Sequence, residues 1–300
     1  MRVTVTGGTG FVGSRLVEQL LASGWNVQLL TRNLRANLPA QAEAHVWDSQ
    51  TEPAPAASLD GSDAVIHLMG EPVAQRWSPE IKRRIRDSRV LSTRNLVQAM
   101  SRMETRPELL VSASAIGYYG SRGDEVLTED SAPGTDFLAD VSQAWEQEAL
   151  AAEALGVRVL RIRIGIVLGM EGGALERMLP PFRAGLGGPL GQGAQWMSWI
   201  HLDDLVGMML FPLQYPHIRG VWNGASPNPV TNQEFTDTLA RILKRPAIFR
   251  VPEFGLRLLF GEGSQALLGS QRVKPEAAEA AGFRFQYAGL HAALRHILRS

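Results

Sequence analysis

The first half of the chain alternates two hydrophobic periods. Arg2 to Thr6 reads as a buried strand, and Phe11 to Ala22 sets Phe11, Leu16, Leu20 and Leu21 on a helix that Gly24 stops. Asn26 to Thr31 reads as a second strand and Ala44 to Trp47 as a short third. Pro53, Pro55 and Gly61 mark a loop before a strand at Ala64 to Met69. A long polar-faced helix over Ser78 to Met103 is followed by a strand at Leu109 to Ser112, a helix at Asp136 to Leu155 and a strand at Val157 to Ile162. Strands separated by helices predict an α/β fold whose parallel sheet is covered on both faces, and right-handed crossovers make it doubly wound.

After Val167 the pattern changes. Residues 169 to 193 hold Gly169, Gly172, Gly173, Gly185, Gly187, Gly188, Gly191 and Gly193. So many glycines suit a loop over a ligand, or else a plain surface linker, better than a core strand. Asp203 to Leu213 looks helical, Pro227 and Pro229 precede a helix over Asn232 to Leu243, and short helices follow at Phe254 to Phe260, Pro275 to Ala281 and Leu290 to Leu298. The expected organisation is a Rossmann domain over 1–168, to which 200–225 returns. A smaller, mostly helical substrate-side part is expected from 169–199 and 226–300.

Composition narrows the function classes. A chain that is 45% hydrophobic and 20% charged has ample material for a core. Thirty basic and thirty acidic residues give a formal net charge of zero, which disfavours nucleic acid as a partner. The absence of cysteine excludes disulfides, thiolate nucleophiles and Cys-ligated metal, and it is compatible with a reducing cytosol. No apolar run approaches the ~18 residues of a membrane helix. With the first strand starting at Arg2 there is no room for a signal peptide, so the expected location is cytoplasmic.

The strongest local signal is Thr6-Gly7-Gly8-Thr9-Gly10-Phe11-Val12-Gly13, a G-x-x-G-x-x-G spacing that follows a strand and opens a helix. Gly7 would allow the tight turn, Gly10 the approach of a pyrophosphate, and Gly13 close packing of helix on strand. The helix N-terminus offers free N–H groups to phosphate. An NAD site usually carries an acidic residue about 20 residues beyond the first glycine, on the ribose 2′-hydroxyl. From Gln19 to Ala42 this chain has none, and the second strand ends instead in Thr31-Arg32-Asn33 with Arg35 close behind. A guanidinium there suits a 2′-phosphate, so the expected cofactor is NADP(H).

These residues, with DAVIHLMGEPV, RWSPEIKRRIRDSRVLSTRNLV, SASAIGYYG, WEQEA, RIGIVLG, WMSWIHLDDL, GVWNGASPNPVTNQEF and GSQRVKPEAAEAAGFRF, resemble the extended and atypical short-chain dehydrogenase/reductases. More specifically, the chain is similar to the YfcH-type epimerase family proteins along essentially its whole length. The resemblance implies that Leu68, Met69 and Gly70 end the fourth strand against the cofactor ribose. It also implies that Arg89, a cofactor-binding residue, and Thr93 lie on the next helix, where related enzymes often keep an asparagine that contacts the main chain, and that Ser112, Ala113 and Ser114 end the fifth strand near the nicotinamide. Ser114 is the best match to the family's catalytic serine or threonine. Arg163 to Val167, with Ile166 among them, would pass near the carboxamide, and His201 to Asp204 would be mainly structural. Relatives often dimerise through helices beside the central strands, which makes a homodimer the expected assembly.

Related reductases use a Tyr-x-x-x-Lys pair for proton transfer. The four tyrosines here, Tyr118, Tyr119, Tyr215 and Tyr287, are followed four residues on by Arg122, Gly123, Arg219 and His291. Aligning Trp145-Glu146 with the usual helix puts Leu138 and Ser142 at the dyad positions. Three readings follow. In one, Ser114 orients a small substrate and Tyr118 or Tyr119 replaces the acid, helped by Arg163 or Glu71; either tyrosine could equally be a pocket wall. In another, the chain is a non-catalytic NADP(H) redox sensor. In the last, it is an isomerase or lyase needing the same missing base. No metal is expected: the histidines make no H-E-x-x-H, His67 reads as a hydrogen-bonded core residue, and Asp203-Asp204 as a helix cap. Trp196 and Trp199 line a substrate pocket or are plain core aromatics.

Overall fold

The computed structural model describes residues 1–34 and 38–299. In chain order the strands and helices are β1 (Arg2–Thr6), α1 (Phe11–Ala22), β2 (Asn26–Thr31), β3 (Glu43–Val46), β4 (Ala64–His67), α2 (Pro79–Ser101), β5 (Leu109–Ala115), β6 (Val126–Leu127), α3 (Phe137–Leu150) and β7 (Arg158–Ile164). They continue with β8 (Ile166–Leu168), α4 (Gly173–Arg183), β9 (Trp196–Met197), β10 (Trp199–His201), α5 (Leu202–Gln214), β11 (Gly220–Gly224), β12 (Val230–Thr231) and α6 (Asn232–Leu243). The tail holds α7 (Glu253–Phe260), α8 (Gln265–Leu268), β13 (Arg272–Val273), α9 (Glu276–Ala280) and α10 (Leu290–Ile297).

Seven strands form one parallel sheet in the order β11-β7-β5-β4-β1-β2-β3. The order reverses between β1 and β4, where Thr6 lies beside His67. In an open α/β sheet, the crevice beyond the carboxyl ends of strands at such a switch point is where ligands bind. Because side chains alternate along a strand, each central strand feeds both faces. Val111 joins Leu16, Leu20, Leu205 and Met209 under α1 and α5, while its neighbour Leu110 joins Leu96, Met100 and Ala149 under α2 and α3. A third apolar cluster packs Leu175, Leu179 and Phe182 of α4 with Phe235 and Leu239 of α6 and Leu290 and Leu294 of α10. Such a cluster gives the C-terminal elements a core of their own.

The bounds of β1, α1, β2 and α6 agree with the residue pattern, but other elements differ from it, among them β11, which the pattern did not show as a strand. β4 stops at His67 rather than Met69, and β5 runs on to Ala115, past Ser112. The larger difference is α4: residues 173–183 are a helix, not a loop. Its apolar residues Leu175, Leu179 and Phe182 fall on one buried face. Pro180 and Pro181 lie in its second half, and the glycines are concentrated on either side of it. Those before it have a packing role. A Cβ on Gly169, Gly172 or Gly173 would lie 2.7–2.9 Å from atoms of Phe11, so the three glycines close around that ring.

Among the described residues no helix is long and apolar enough to cross a membrane.

Candidate functional site

The opening turn has the geometry the glycine spacing asks for. Gly7 has φ of +71°, the left-handed region that favours glycine, and its carbonyl oxygen accepts from the Gly10 N–H at 3.0 Å. A Cβ on Gly13 would lie 2.1 Å from that same oxygen, and one on Gly10 3.3 Å from it. The turn is therefore closed to side chains at Gly13 and tight at Gly10. At the N-terminus of α1, Gly10 supplies no side-chain cap, and no acidic residue stands in the first turn. The first backbone N–H groups of the helix and its positive dipole end are thus left for an anion. These features fit a dinucleotide pyrophosphate. Thr31, Arg32 and Asn33 stand at the carboxyl end of β2, with Arg32 exposed. Arg35, expected beside them, lies outside the described residues.

Buried polar contacts fix the rest of the crevice. The Thr6 hydroxyl lies 2.7 Å from His67 Nδ1 and accepts from the Leu68 N–H at 3.2 Å. His67 Nε2 meets the hydroxyls of Thr93 at 3.0 Å and Ser92 at 3.3 Å on α2. His67 is thus the hydrogen-bonded core histidine its apolar strand suggested, and burial pushes its pKa down to about 3. Leu68, Met69 and Gly70 then leave the strand end. A Cβ on Gly70 would lie 2.9 Å from the Arg89 guanidinium, which also faces the Trp145 ring at 5.3 Å and donates to the Ile85 carbonyl at 3.0 Å. Burial lowers the Arg89 pKa to about 10, against the pull of Glu71. Glu71 itself is held by Ser88 through its N–H and by Arg84 at 2.9 Å through its carboxylate. The segment it begins is tied to two helices from later in the chain: Arg177 on α4 donates to the Ala74 carbonyl, and Arg76 donates to that of Leu258 on α7.

Beyond the end of β5 the structure assembles a network that the residue pattern did not reveal. Glu146 on α3 is 4% exposed and accepts four hydrogen bonds. They come from Ser114 Oγ at 2.7 Å, Arg163 Nε at 2.8 Å, Arg163 Nη2 at 3.1 Å and Arg161 Nη1 at 3.0 Å. Arg163, 3% exposed, also donates through Nη1 to Tyr119 Oη at 2.9 Å and to the Glu129 carbonyl at 3.2 Å. Tyr119 Oη donates in turn to Asn223 Oδ1 at 2.7 Å. The Tyr118 ring covers the Arg163 guanidinium, 3.4 Å from ring centroid to Cζ.

The three candidate hydroxyls therefore differ. Ser114 is 2% exposed and spent on Glu146. Tyr119 is fully buried, and burial pushes its pKa up to about 12, against the opposing effect of Arg163. Tyr118 is half-buried, and its hydroxyl has no hydrogen-bond partner among the described residues. Arg163, expected near the nicotinamide carboxamide, has all three nitrogens engaged inside the protein; it positions its neighbours. Ser112 is buried and donates to the Ala113 carbonyl, and Ile166 opens β8 beside Trp199. At the positions of the missing dyad, Leu138 and Ser142 pack where a Cβ on Gly117 would lie 3.2 Å from Leu138 Cβ and 3.9 Å from Ser142 Oγ.

The His201–Asp204 segment works as a clasp. His201 Nδ1 accepts from the Asp203 N–H, so a histidine rather than an aspartate caps α5. Asp204 accepts from the N–H groups of Gln286 and Tyr287, and the His201 ring stacks on Tyr287 at 4.0 Å. His201, Asp203 and His296 bring potential metal-ligand atoms within 4.8 Å of one another. Arg15 Nε, however, is already 2.7 Å from Asp203 Oδ1, a cation where a metal would need free carboxylate charge. Trp199 is a core residue, fully buried with Nε1 on the Asn228 carbonyl, whereas Trp196 is half-buried.

A model of the NAD dependent epimerase/dehydratase family matches residues 3–223. The chain belongs to that family. A further domain of unknown function, DUF1731, matches residues 251–297, the tail that Asp204 holds. Over its whole length the chain is 44% identical to the chloroplastic epimerase family protein SDR39U1 homolog of Arabidopsis thaliana, of which it covers 87%. It is 37% identical to the epimerase family protein YfhF of Bacillus subtilis, with 99% of this chain and 98% of that protein aligned. The crystal structure of human epimerase family protein SDR39U1 with NADPH superposes over all of both chains with a TM-score of 0.90 and 34% identity. The epimerase family thus includes bacterial and chloroplastic relatives, and the fold is that of NAD(P)-binding short-chain dehydrogenase/reductases.

Proposed function

We propose that the protein binds NADP(H) and acts as an oxidoreductase or epimerase on a small substrate, with Tyr118 moving the proton in place of the absent tyrosine–lysine pair. The observation that carries this reading is the uncapped, glycine-lined N-terminus of α1, with an arginine and no acid at the end of β2. A relative of the same length and fold, human SDR39U1, crystallised with NADPH, which supports the phosphorylated cofactor. Gly7, Thr9, Gly10, Phe11, Val12 and Gly13 would hold the pyrophosphate, Arg32 the 2′-phosphate, and Leu68 to Gly70 the ribose. When bound, the nicotinamide supplies or accepts a hydride. Tyr118 Oη gives a proton to, or takes one from, a substrate oxygen, and Arg163 keeps the tyrosine ring in place. Glu146 fixes Arg163 and Ser114. Residues 169–199 and 226–300 form the substrate side.

Calorimetric titration with NADPH and NADH tests the cofactor. NADPH should bind more tightly, and Arg32→Ala should weaken it by roughly 10- to 100-fold, the worth of hydrogen bonds to a charged group, with NADH unaffected. Binding of no adenine dinucleotide would overturn the reading. A panel of carbonyls and alcohols tests the chemistry: Tyr118→Phe should abolish turnover while NADPH still binds. A second reading, a redox sensor without turnover, is favoured by the burial of Ser114 and Tyr119, whose hydroxyls are spent inside the protein. Tight NADPH binding with no turnover across the panel would support it.

A further inference from the structure

β13 pairs in parallel with β6, Arg272 beside Val126 and Val273 beside Leu127. Neighbouring side chains on a strand project to opposite sides. Val273 turns into the buried cluster with Tyr119, Leu127 and Ala225, so Arg272 projects away from it. There the guanidinium lies over the indole of Trp196, 4.2 Å from Cζ to the ring centroid. The indole is itself fixed. Its Nε1 donates to Asp124 Oδ1 at 2.7 Å, and the Trp196 N–H donates to Ser270 Oγ at 3.0 Å. Ser270 in turn donates to the Gly123 carbonyl and, through its N–H, to Ser121 Oγ. Three separate stretches, 121–124, Trp196 and 270–272, are thus knitted into one small platform.

Arg272 differs from the other arginines of the interior. Arg161 and Arg163 share Glu146, Arg15 has Asp203, and Arg122 beside the platform has Glu125. Arg272 is half-buried, its Nε is closed off from solvent without an acceptor, and among the described residues neither a hydrogen bond nor an ion pair reaches its guanidinium. A long flexible side chain avoids such a cost by swinging into water; stacking on a ring that Asp124 holds keeps this one in place. The result is a guanidinium held against the indole, with its Nη edge uncommitted. Two parallel N–H donors on such an edge match the two oxygens of a carboxylate or phosphate.

We propose that Trp196 and Arg272 form an anion-binding subsite for the carboxylate or phosphate group of a small organic ligand. Trp196 holds the guanidinium, Asp124 sets the indole, and the Arg272 edge takes two oxygens of the anion. None of these residues lies in the Gly7–Gly13 turn, so the subsite stands whether or not the cofactor reading does.

The test titrates the full-length protein with inorganic phosphate and, separately, with benzoate, by calorimetry and by tryptophan fluorescence. Saturable binding of either probe is expected. Arg272→Ala should weaken it at least tenfold, the loss of a charge-assisted pair. Arg272→Lys, which keeps the charge but loses the fork and the stacking, should fall most of the way to the alanine variant. Trp196→Phe should remove the fluorescence response and weaken binding only a few-fold. A preference for phosphate assigns a phosphate ester, and a preference for benzoate a carboxylic acid. Circular-dichroism melting without any nucleotide shows that the variants are folded, independently of NADPH binding. No saturable binding of either probe, or equal affinity in wild type and folded Arg272→Ala, overturns the proposal.

Discussion

Replacing Glu146 by glutamine tests whether the charge beside the end of β5 holds the site together. The substitution keeps the shape and removes the negative charge. Two guanidiniums then lose their counter-ion: Arg163, whose side chain is 4% exposed, and Arg161, at 15%. Removing one partner of a buried pair costs about 3–5 kcal/mol, because the remaining charge is left desolvated. Here the amide oxygen can still accept up to two bonds, Arg163 keeps Tyr119 Oη and the Glu129 carbonyl, and Arg161 lies nearer water. The lower end, about 3 kcal/mol, is therefore expected. In a domain of this size that amounts to roughly a 6 °C fall in melting temperature. Urea denaturation followed by circular dichroism should show the midpoint move with an unchanged slope. Glu148→Gln, two residues away, is the control. Its partner Arg94 is 56% exposed, so that pair should contribute less than about 1 kcal/mol. Ser114→Ala combined with Glu146→Gln should cost less than the two separately, since they share one hydrogen bond. If Glu146→Gln lost no more than its control, the network would not be the electrostatic anchor described here.

Acid should unfold the protein through His67. Its folded pKa of about 3 lies below the ordinary 6.5, so between those values the unfolded chain binds more protons and stability falls as pH is lowered. The full difference is at most about 5 kcal/mol, at 1.36 kcal/mol per unit. His67→Gln should flatten the curve of stability against pH between 6.5 and 4 relative to wild type, with His201, pushed down to about 4, keeping part of the slope; an unchanged slope would contradict the assignment. Gly13→Ala forces a methyl to within 2.1 Å of the Gly7 carbonyl oxygen, where only backbone movement can relieve it. It should cost about 3 kcal/mol in urea denaturation and remove the NADPH-induced rise in melting temperature. A folded variant with wild-type NADPH affinity would show that the turn is looser than drawn.

The elements that were legible in the sequence are those decided locally. β1, α1 and β2 have their bounds set by short valine- and leucine-bearing strands on either side of a glycine turn and a glycine stop, all within a few residues. His67 could be placed in the core because everything around it in its strand is apolar. α4 was hidden because glycines on both sides and two prolines within it outweighed three helically spaced apolar residues, whose partners lie on α6 and α10. The network around Glu146 was hidden for a different reason. Its members come from β5, α3, β7 and β11, and only the order of strands in the sheet brings them together. Its one sign in the sequence is Arg161 and Arg163 on alternate positions of a strand whose other residues beyond Arg158 are apolar, a pair of cations in the interior that required an acid from elsewhere. Tyr119 looked like a catalytic candidate by type, and only its burial and its bonds to Arg163 and Asn223 separate it from Tyr118.

Phe11 couples two parts of the molecule that are far apart along the chain. Its backbone belongs to the first turn of α1, whose amides face the crevice, and its ring is gripped by Gly169, Gly172 and Gly173 at the entrance to α4. Neither partner has slack, since a single added carbon at any of those glycines would strike the aromatic edge. A shift of the amides on loading the crevice would therefore be transmitted as a rigid lever stroke to the start of α4, and hydrogen–deuterium exchange at residues 169–175 should report occupancy of a pocket those residues need not touch.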